Sequence, residues 1–279
     1  MSFSVEGRSA IVTGAGSGMC RIASASSTFG VIGSLLKSPN VGINFAFAKL
    51  LLENGCNVLI ADLALRPEAQ DLVEKYSIPS SAPRAVFQRT DVTDWKQLEL
   101  MFEVAEKEFG EIDVHIVHIS SIAGQNPALA APIYVATKHA INGLVRSLGK
   151  LDSKFGIRVT AVAPGVIKTP LWTDHPEKLK IVDTANDEWV TPEEVAQVML
   201  ALIQQDQVSE IIGDRTGQGP QFPVCGGTVL EVSKTVRSVS AINDPGPGTR
   251  AGNTVSDMNV LEDEVFGLLS QKGWGTPKL

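Results

Sequence analysis

Cysteine is scarce: Cys20, Cys56 and Cys225 are the three in 279 residues, and they form no Cys-x-x-Cys pair. That argues against a disulfide framework or a zinc site and suits a reducing compartment. Positive charge is also short, with 24 Lys and Arg against 31 Asp and Glu, a net charge of −7. Such a balance offers no electrostatic footprint for nucleic acid or an anionic membrane. No window approaches the roughly 18 unbroken apolar residues of a membrane span. The opening MSFSVEGRSAIVTG lacks the basic start and apolar core of a leader. These absences predict a cytoplasmic protein with neither nucleic-acid nor membrane partner, and nothing in the sequence calls for a metal. What is present is ordinary for a globular chain: 43% hydrophobic and 20% charged residues. The length allows one large α/β domain or two small ones.

Short apolar runs alternate with helical stretches. Ala10–Thr13, Asn57–Asp62, Ala85–Arg89, Asp113–Ser120, Arg158–Pro164 and Gly227–Val232 read as strands, bounded by glycine, proline or polar residues. Between them, Phe45–Glu53, Asp94–Glu108 and Ile133–Lys154 have helical periodicity. Trp95, Leu98, Met101, Phe102 and Ala105 share one face of the second of these. Thr191-Pro192-Glu193-Glu194 is a capping box that opens another helix. From Asn243 the composition shifts to a loop, followed by a short helix around Val260–Leu269. This alternation predicts a parallel sheet covered by helices on both faces.

Three groups of residues carry chemistry. Thr13-Gly14-Ala15-Gly16-Ser17-Gly18 follows the first strand, where glycines let the backbone turn tightly and approach a pyrophosphate held at a helix N-terminus. Asp62 ends the second strand, where a carboxylate accepts both ribose hydroxyls of adenosine and repels a 2′-phosphate, which favours NAD over NADP. Asp91-Val92, after the third strand, offers a less specific adenine contact. Finally, Tyr134 and Lys138 stand four apart, on one helix face if the stretch is helical. A phenol is a poor base at neutral pH, and a cation held beside it favours the phenolate. Such a phenol can exchange a proton with a substrate hydroxyl while hydride moves to or from a nicotinamide. Ser121 precedes the tyrosine by thirteen positions, and Pro164-Gly165-Val166-Ile167-Lys168-Thr169-Pro170 follows the next strand.

Taken together, the TGxxxG turn, the acid after strand two, the Ser-x12-Tyr-x3-Lys set and the Pro-Gly loop resemble the short-chain dehydrogenase/reductase family. Within it, the chain looks most like fungal members related to NAD-dependent 15-hydroxyprostaglandin dehydrogenase. The resemblance spans roughly residues 5–235. It implies a Rossmann-type, doubly wound α/β domain over residues 1–240 with a C-terminal extension over 241–279. It further implies that Ser121 orients the substrate, that Tyr134 is the acid/base, and that Lys138 binds the nicotinamide ribose. Thr13, Gly14, Gly16 and Gly18 would cradle the pyrophosphate, Asp62, Asp91 and Val92 the adenosine, and Ile167 and Thr169 the nicotinamide end. The expected function is NAD-dependent interconversion of a small-molecule secondary alcohol and a ketone, in a homo-oligomer. His139, His115 and His118 read as helix or sheet residues. Trp172 and His175 lie in the loop that closes over substrate in this family.

The chain departs from the family pattern twice. Met19–Gly42, 24 residues, stands between the glycine turn and the helix that begins near Ile43. Met19–Leu36 could form a substitute helix, weakened by Gly30 and Gly33. Gly18-Met19-Cys20 and Val41-Gly42 can be encoded with splice-donor-like and acceptor-like sequences in one phase, so the insertion reads as a retained intron. Second, Val114 runs straight into the serine strand, so one strand and one helix of the pattern are absent, with the relay asparagine and a main subunit interface that the helix carries. The slot beside the first strand is then either empty or filled by Asp113–Ser120, which would displace Ser121 by about one strand spacing of 4.8 Å. The alternative expectation is therefore a non-catalytic product of the same family.

Overall fold

A computed structural model of the chain describes residues 3–16, 42–78, 83–110, 115–129, 131–167, 169, 189–209, 221–240 and 258–271. Met1–Val239 form one compact unit and Ser240–Leu279 a second. In the first unit, β2 (Asn57–Asp62, NVLIAD) is buried from its second residue onward, as a strand covered on both faces must be. It lies between β1 (Ser9–Thr13) and β3 (Ala85–Arg89), parallel to both, with Val12 opposite Ile60 and Ile60 opposite Phe87.

A second sheet holds β4 (His115–Ile119), β5 (Arg158–Pro164), β8 (Val229–Val232) and β9 (Val236–Ser238), in that order. β4 and β8 run parallel to β5, as the strand–helix alternation predicted, and β9, which had no counterpart in the sequence reading, turns back antiparallel to β8. The turn at Ser233, whose N–H donates to Thr235 O, is tight enough to reverse the chain. β6 (Gln207–Ser209) and β7 (Gln221–Pro223) form a separate antiparallel pair.

Among the described residues no ladder joins β1 to β4. β4 keeps its register with β5, Ile119 opposite Val162. The absent strand therefore leaves an open slot, and β4 does not shift to fill it.

What holds the two sheets as one unit is a helical layer. α1 (Ile43–Glu53) and α6 (Pro192–Gln204) pack on each other and on one face of both sheets. One core cluster takes Leu51 and Leu52 from α1, Val195, Met199 and Leu202 from α6, Val58 and Ile60 from β2, and Val162 and Leu230 from the second sheet. α6 begins with the expected capping box: Thr191 Oγ1 accepts from Glu194 N–H (3.1 Å), and the Glu194 carboxylate accepts from Thr191 N–H (2.7 Å). At the amino ends of the strands Phe3 stacks on His115, ring centroids 4.4 Å apart, which adds a second tie across the slot.

The opposite face is divided. α3 (Trp95–Phe109) covers the first sheet through Met101 and Ala105, packed on Leu59 and Ala61. α4 (Pro132–Ser147) covers the second through Val145, packed with Val159, Ala161, Ala163 and Val229. The expected single helix over Ile133–Lys154 is two helices, α4 and α5 (Lys150–Phe155). The break at Gly149 brings its backbone against Gly226: a Cβ on Gly149 would stand 2.9 Å from Gly226 O. α2 (Pro67–Lys75) has no counterpart in the sequence reading. The second unit contains α7 (Met258–Leu269). No helix among the described residues is long and apolar enough to cross a membrane.

Candidate active site

The site residues follow the carboxyl ends of the parallel strands or stand on the helix after them, where open α/β sheets bind ligands. β4 ends at Ile119, and Ser120-Ser121 lead into a single 3-10 turn, Ile122–Gly124. Ser121 is 8% exposed and caps that turn, its Oγ accepting from Ala123 N–H at 3.2 Å. With its oxygen accepting there, the hydroxyl's own hydrogen is the donor that a substrate oxygen would use.

Tyr134 is the third residue of α4 and is 40% exposed, so the phenol is reachable from solvent. One turn on, Lys138 Nζ lies 5.4 Å from the centroid of the Tyr134 ring and donates to Ile119 O at 2.8 Å. Ser120 N–H donates to Val162 O on the β5 side. Because successive residues of a strand alternate direction, the Ile119 carbonyl faces the other edge, the one beside the open slot. Lys138 thus satisfies a carbonyl that a neighbouring strand would otherwise bond. Asn142, one more turn along α4 and buried, donates to Gly124 O at 2.9 Å and fastens the serine turn to the helix. The serine, tyrosine and lysine elements are therefore assembled as one body.

The nucleotide end is built on β1 and β2. Gly14 adopts φ +72°, a left-handed turn that favours glycine, and its N–H donates to Ala61 O at 2.8 Å. Gly16 presses onto the segment after β2, where a Cβ would meet Ala64 O at 2.4 Å. Asp62 is 7% exposed. Its Oδ2 accepts from Gly16 N–H (2.9 Å) and its Oδ1 from Leu63 N–H (2.7 Å). A carboxylate is an acceptor only, which suits ribose hydroxyls and disfavours a 2′-phosphate at that point. The residues present fit a dinucleotide without that phosphate.

The other expected contacts divide. Asp91 Oδ1 accepts from Thr93 N–H (2.9 Å) and Thr93 Oγ1–H (2.7 Å); the backbone bond first, then the hydroxyl, hold its carboxyl below the ordinary aspartate range. Val92 is exposed beside it. Ile167 is buried in the shared core and bridges to Val190, so its side chain serves packing and only its backbone could meet a ligand. Thr169 is partly exposed, and the exposed Thr13 gives its carbonyl to Asn44 Nδ2 at 2.8 Å. Gly18, Trp172, His175 and the stretch Met19–Leu36 lie outside the described residues. His139 Nδ1 bonds to Val135 O along α4, and His118 is partly buried on β4, its pKa lowered by desolvation.

Two features were missed in the sequence. Asn44 returns the start of α1 to the end of β1, so a segment inserted in sequence does not separate the turn from its helix in space; an asparagine in a helix's first turn was the available signal. Gln125, Glu231 and Arg237 form a cluster beyond the serine turn, with Gln125 Nε2 and Arg237 both donating to Glu231 Oε2. No sequence spacing could have joined residues so far apart. No group of His, Cys, Asp or Glu among the described residues could hold a metal ion.

Comparison with known proteins finds the same family. The family model described as short chain dehydrogenase matches residues 115–180, and that described as Enoyl-(Acyl carrier protein) reductase matches 39–116. The second match begins near the end of the insertion, and the two meet where the strand and helix are absent. Cis-4-hydroxycyclohexanecarboxylate dehydrogenase of Sinomonas cyclohexanicum is 28% identical, covering 62% of this chain and 88% of the relative. The NAD(+) 15-hydroxyprostaglandin dehydrogenase of Rattus norvegicus is 26% identical over 47% of this chain. A 3-alpha-(or 20-beta)-hydroxysteroid dehydrogenase of Mycobacterium bovis is 35% identical over 41%. The chain spans 66% of the rat protein's length and 40% of the mycobacterial one's.

Proposed function

Because the chain belongs to the short-chain dehydrogenase/reductase family, we propose that it is an NAD-dependent oxidoreductase that interconverts a secondary alcohol and a ketone. The observation that carries this is the joint placement of Ser121, Tyr134 and Lys138 around one strand end, with the ammonium held 5.4 Å from the phenol ring. Relatives named for hydroxy-acid, hydroxyprostaglandin and hydroxysteroid dehydrogenation support an alcohol carbon as the reacting centre.

Asp62 would hold the adenosine ribose, and the Gly14–Gly16 turn with the first turn of α1 the pyrophosphate. Lys138 would hold the nicotinamide ribose. Thr13, Gly18, Asp91, Val92, Ile167 and Thr169 complete the reading of the cofactor site, by backbone where the side chain is buried. Bound NAD supplies the hydride acceptor for alcohol oxidation. On the protein side, the Ser121 hydroxyl donates to the substrate oxygen and fixes its position. Tyr134 takes the alcohol proton as the C–H bond breaks, and returns it to the oxygen in the reverse direction. The Lys138 ammonium stands 5.4 Å from the centre of the ring that makes this exchange. We read the enzyme as cytoplasmic, on the free thiols of Cys56 and Cys225.

One observation favours a second reading, a family member that turns nothing over: the open slot between β1 and β4 lies between the nucleotide end and the catalytic end. A misplacement of about 1 Å between the two costs on the order of 100-fold in rate. Calorimetry with NAD and NADPH, followed by a screen of secondary alcohols for NADH production, separates the readings. Binding of NAD with turnover that Tyr134→Phe lowers by about 10²–10⁴-fold supports the enzyme. NAD binding without turnover of any alcohol supports the second reading, and tighter binding of NADPH overturns the cofactor assignment.

A further inference from the structure

We propose that Asn44 acts as a clasp that does by hydrogen bond what chain continuity does where a glycine turn runs directly into its helix. The 24 residues Met19–Gly42 stand between Gly18 and α1, so the covalent chain does not fix where that helix starts. Nor does the helix fix itself. Its N-cap is Gly42, extended at φ −82° and ψ 167°, with no side-chain cap and no acidic residue in the first turn. Yet α1 begins beneath the end of β1, because Asn44 Nδ2 donates to Thr13 O at 2.8 Å.

The fit is close on both sides. Gly14, in its left-handed turn, has no Cβ; one placed there would stand 3.2 Å from Asn44 Nδ2, so the amide packs against the bare turn. Thr13 O belongs to the last residue of β1, whose neighbour Gly14 is itself held to Ala61 O. The clasp therefore joins the first helix to a point already fixed to β2. Two and three residues after Asn44, Ala46 and Phe47 enter the core that both sheets share. Packing thus holds the body of α1, and Asn44 sets the position of its leading turn, whose free N–H groups face the anion site. Asn44 is a positioning residue.

The clasp matters only while the insertion is present. Where Gly18 runs directly into Ile43, the backbone itself limits the start of the helix. That coupling gives a four-protein test: the full chain and a chain lacking Met19–Gly42, each with Asn44 or with Asn44→Ala. Asn44→Asp is a control: its nearly isosteric side chain cannot donate to Thr13 O, while its charge suits a helix N-terminus.

Hydrogen exchange at Ala46 and Phe47 in the ligand-free proteins reads the clasp without any cofactor. Asn44→Ala and Asn44→Asp are expected to speed exchange there about tenfold in the full chain, and Asn44→Ala less than threefold in the shortened one. The affinity measurement rests on the dinucleotide reading: NAD binding should weaken about tenfold with Asn44→Ala in the full chain and less than threefold in the shortened one. If exchange follows this pattern but no parent binds NAD, the clasp stands and the cofactor reading fails. Equal effects in both backgrounds, or unchanged exchange in the full-chain variants, overturn the clasp.

Discussion

The two faces of the sheets are built on different plans. On one, α1 and α6 lay a continuous core over both sheets, with Leu51, Leu202, Ile60 and Leu230 in the same cluster. On the other, α3 and α4 each cover a sheet of their own, through separate clusters around Met101 and Val145. The two clusters of the divided face belong to the two sheets that no described ladder joins. The comparison teaches that continuity of a Rossmann-type unit here resides in a helical layer, because the backbone ladder stops at β1 and resumes at β4. A missing strand is tolerated where another layer already bridges the sheets.

The strongest way to break this account is to thin the bridging layer. Leu51→Ala removes a side chain that is 1% exposed from the shared cluster and should cost about 2–5 kcal/mol. Urea unfolding followed by tryptophan fluorescence and by circular dichroism checks it. The two probes should report one transition; two separated transitions would mean that the sheets are stabilised independently. Next in size, Asp62→Ala removes the acceptor shared by Gly16 and Leu63. It should weaken NAD about 10- to 100-fold, the worth of one or two charge-assisted hydrogen bonds. Calorimetry of NAD against the variant decides it.

A smaller effect lies in pH. Burial of Cys56, at the edge of the shared core, pushes its thiol well above its ordinary value, up to about 12. The folded state thus favours the neutral thiol, so its contribution is complete below about pH 9 and is lost as pH rises from there towards 12. Melting temperature should fall across that window, and Cys56→Ala should flatten this part of the slope. Smallest of all, Phe102→Gln on the divided face should change stability by less than about 0.5 kcal/mol, since Phe102 is 57% exposed. A loss of several kcal/mol in the same urea assay would show that this face is covered in solution.

The sequence made the strands legible with unequal precision. Asn57–Asp62, Ala85–Arg89 and Arg158–Pro164 stand where their apolar runs end in polar or glycine residues, and the Thr191 capping box is present in full. Helix α2 was not visible because its nine residues are mostly polar, with Ala69 and Leu72 alone buried. The break at Gly149 depends on Gly226, 77 positions away, and β9 depends on a turn that brings it back beside β8. No local pattern encodes such pairings. At the site, the local motifs were readable: a turn after a strand, an acid at a strand end, Tyr and Lys one helical turn apart. What the sequence could not show was how those groups spend their hydrogen bonds. Asp62 is tied to Gly16, Lys138 to Ile119 and Asn44 to Thr13, each across a distance fixed by the fold.

The outer edge of β4 gives the protein a colloidal character of its own. HIVHI has no lysine, proline or acid to discourage edge-on pairing by another chain. Its only ionisable groups are two histidines, and burial holds His118 in its neutral form to lower pH than usual. Protonation of His118, which its burial defers to lower pH, would place a positive charge on that edge and so discourage a second copy from pairing there.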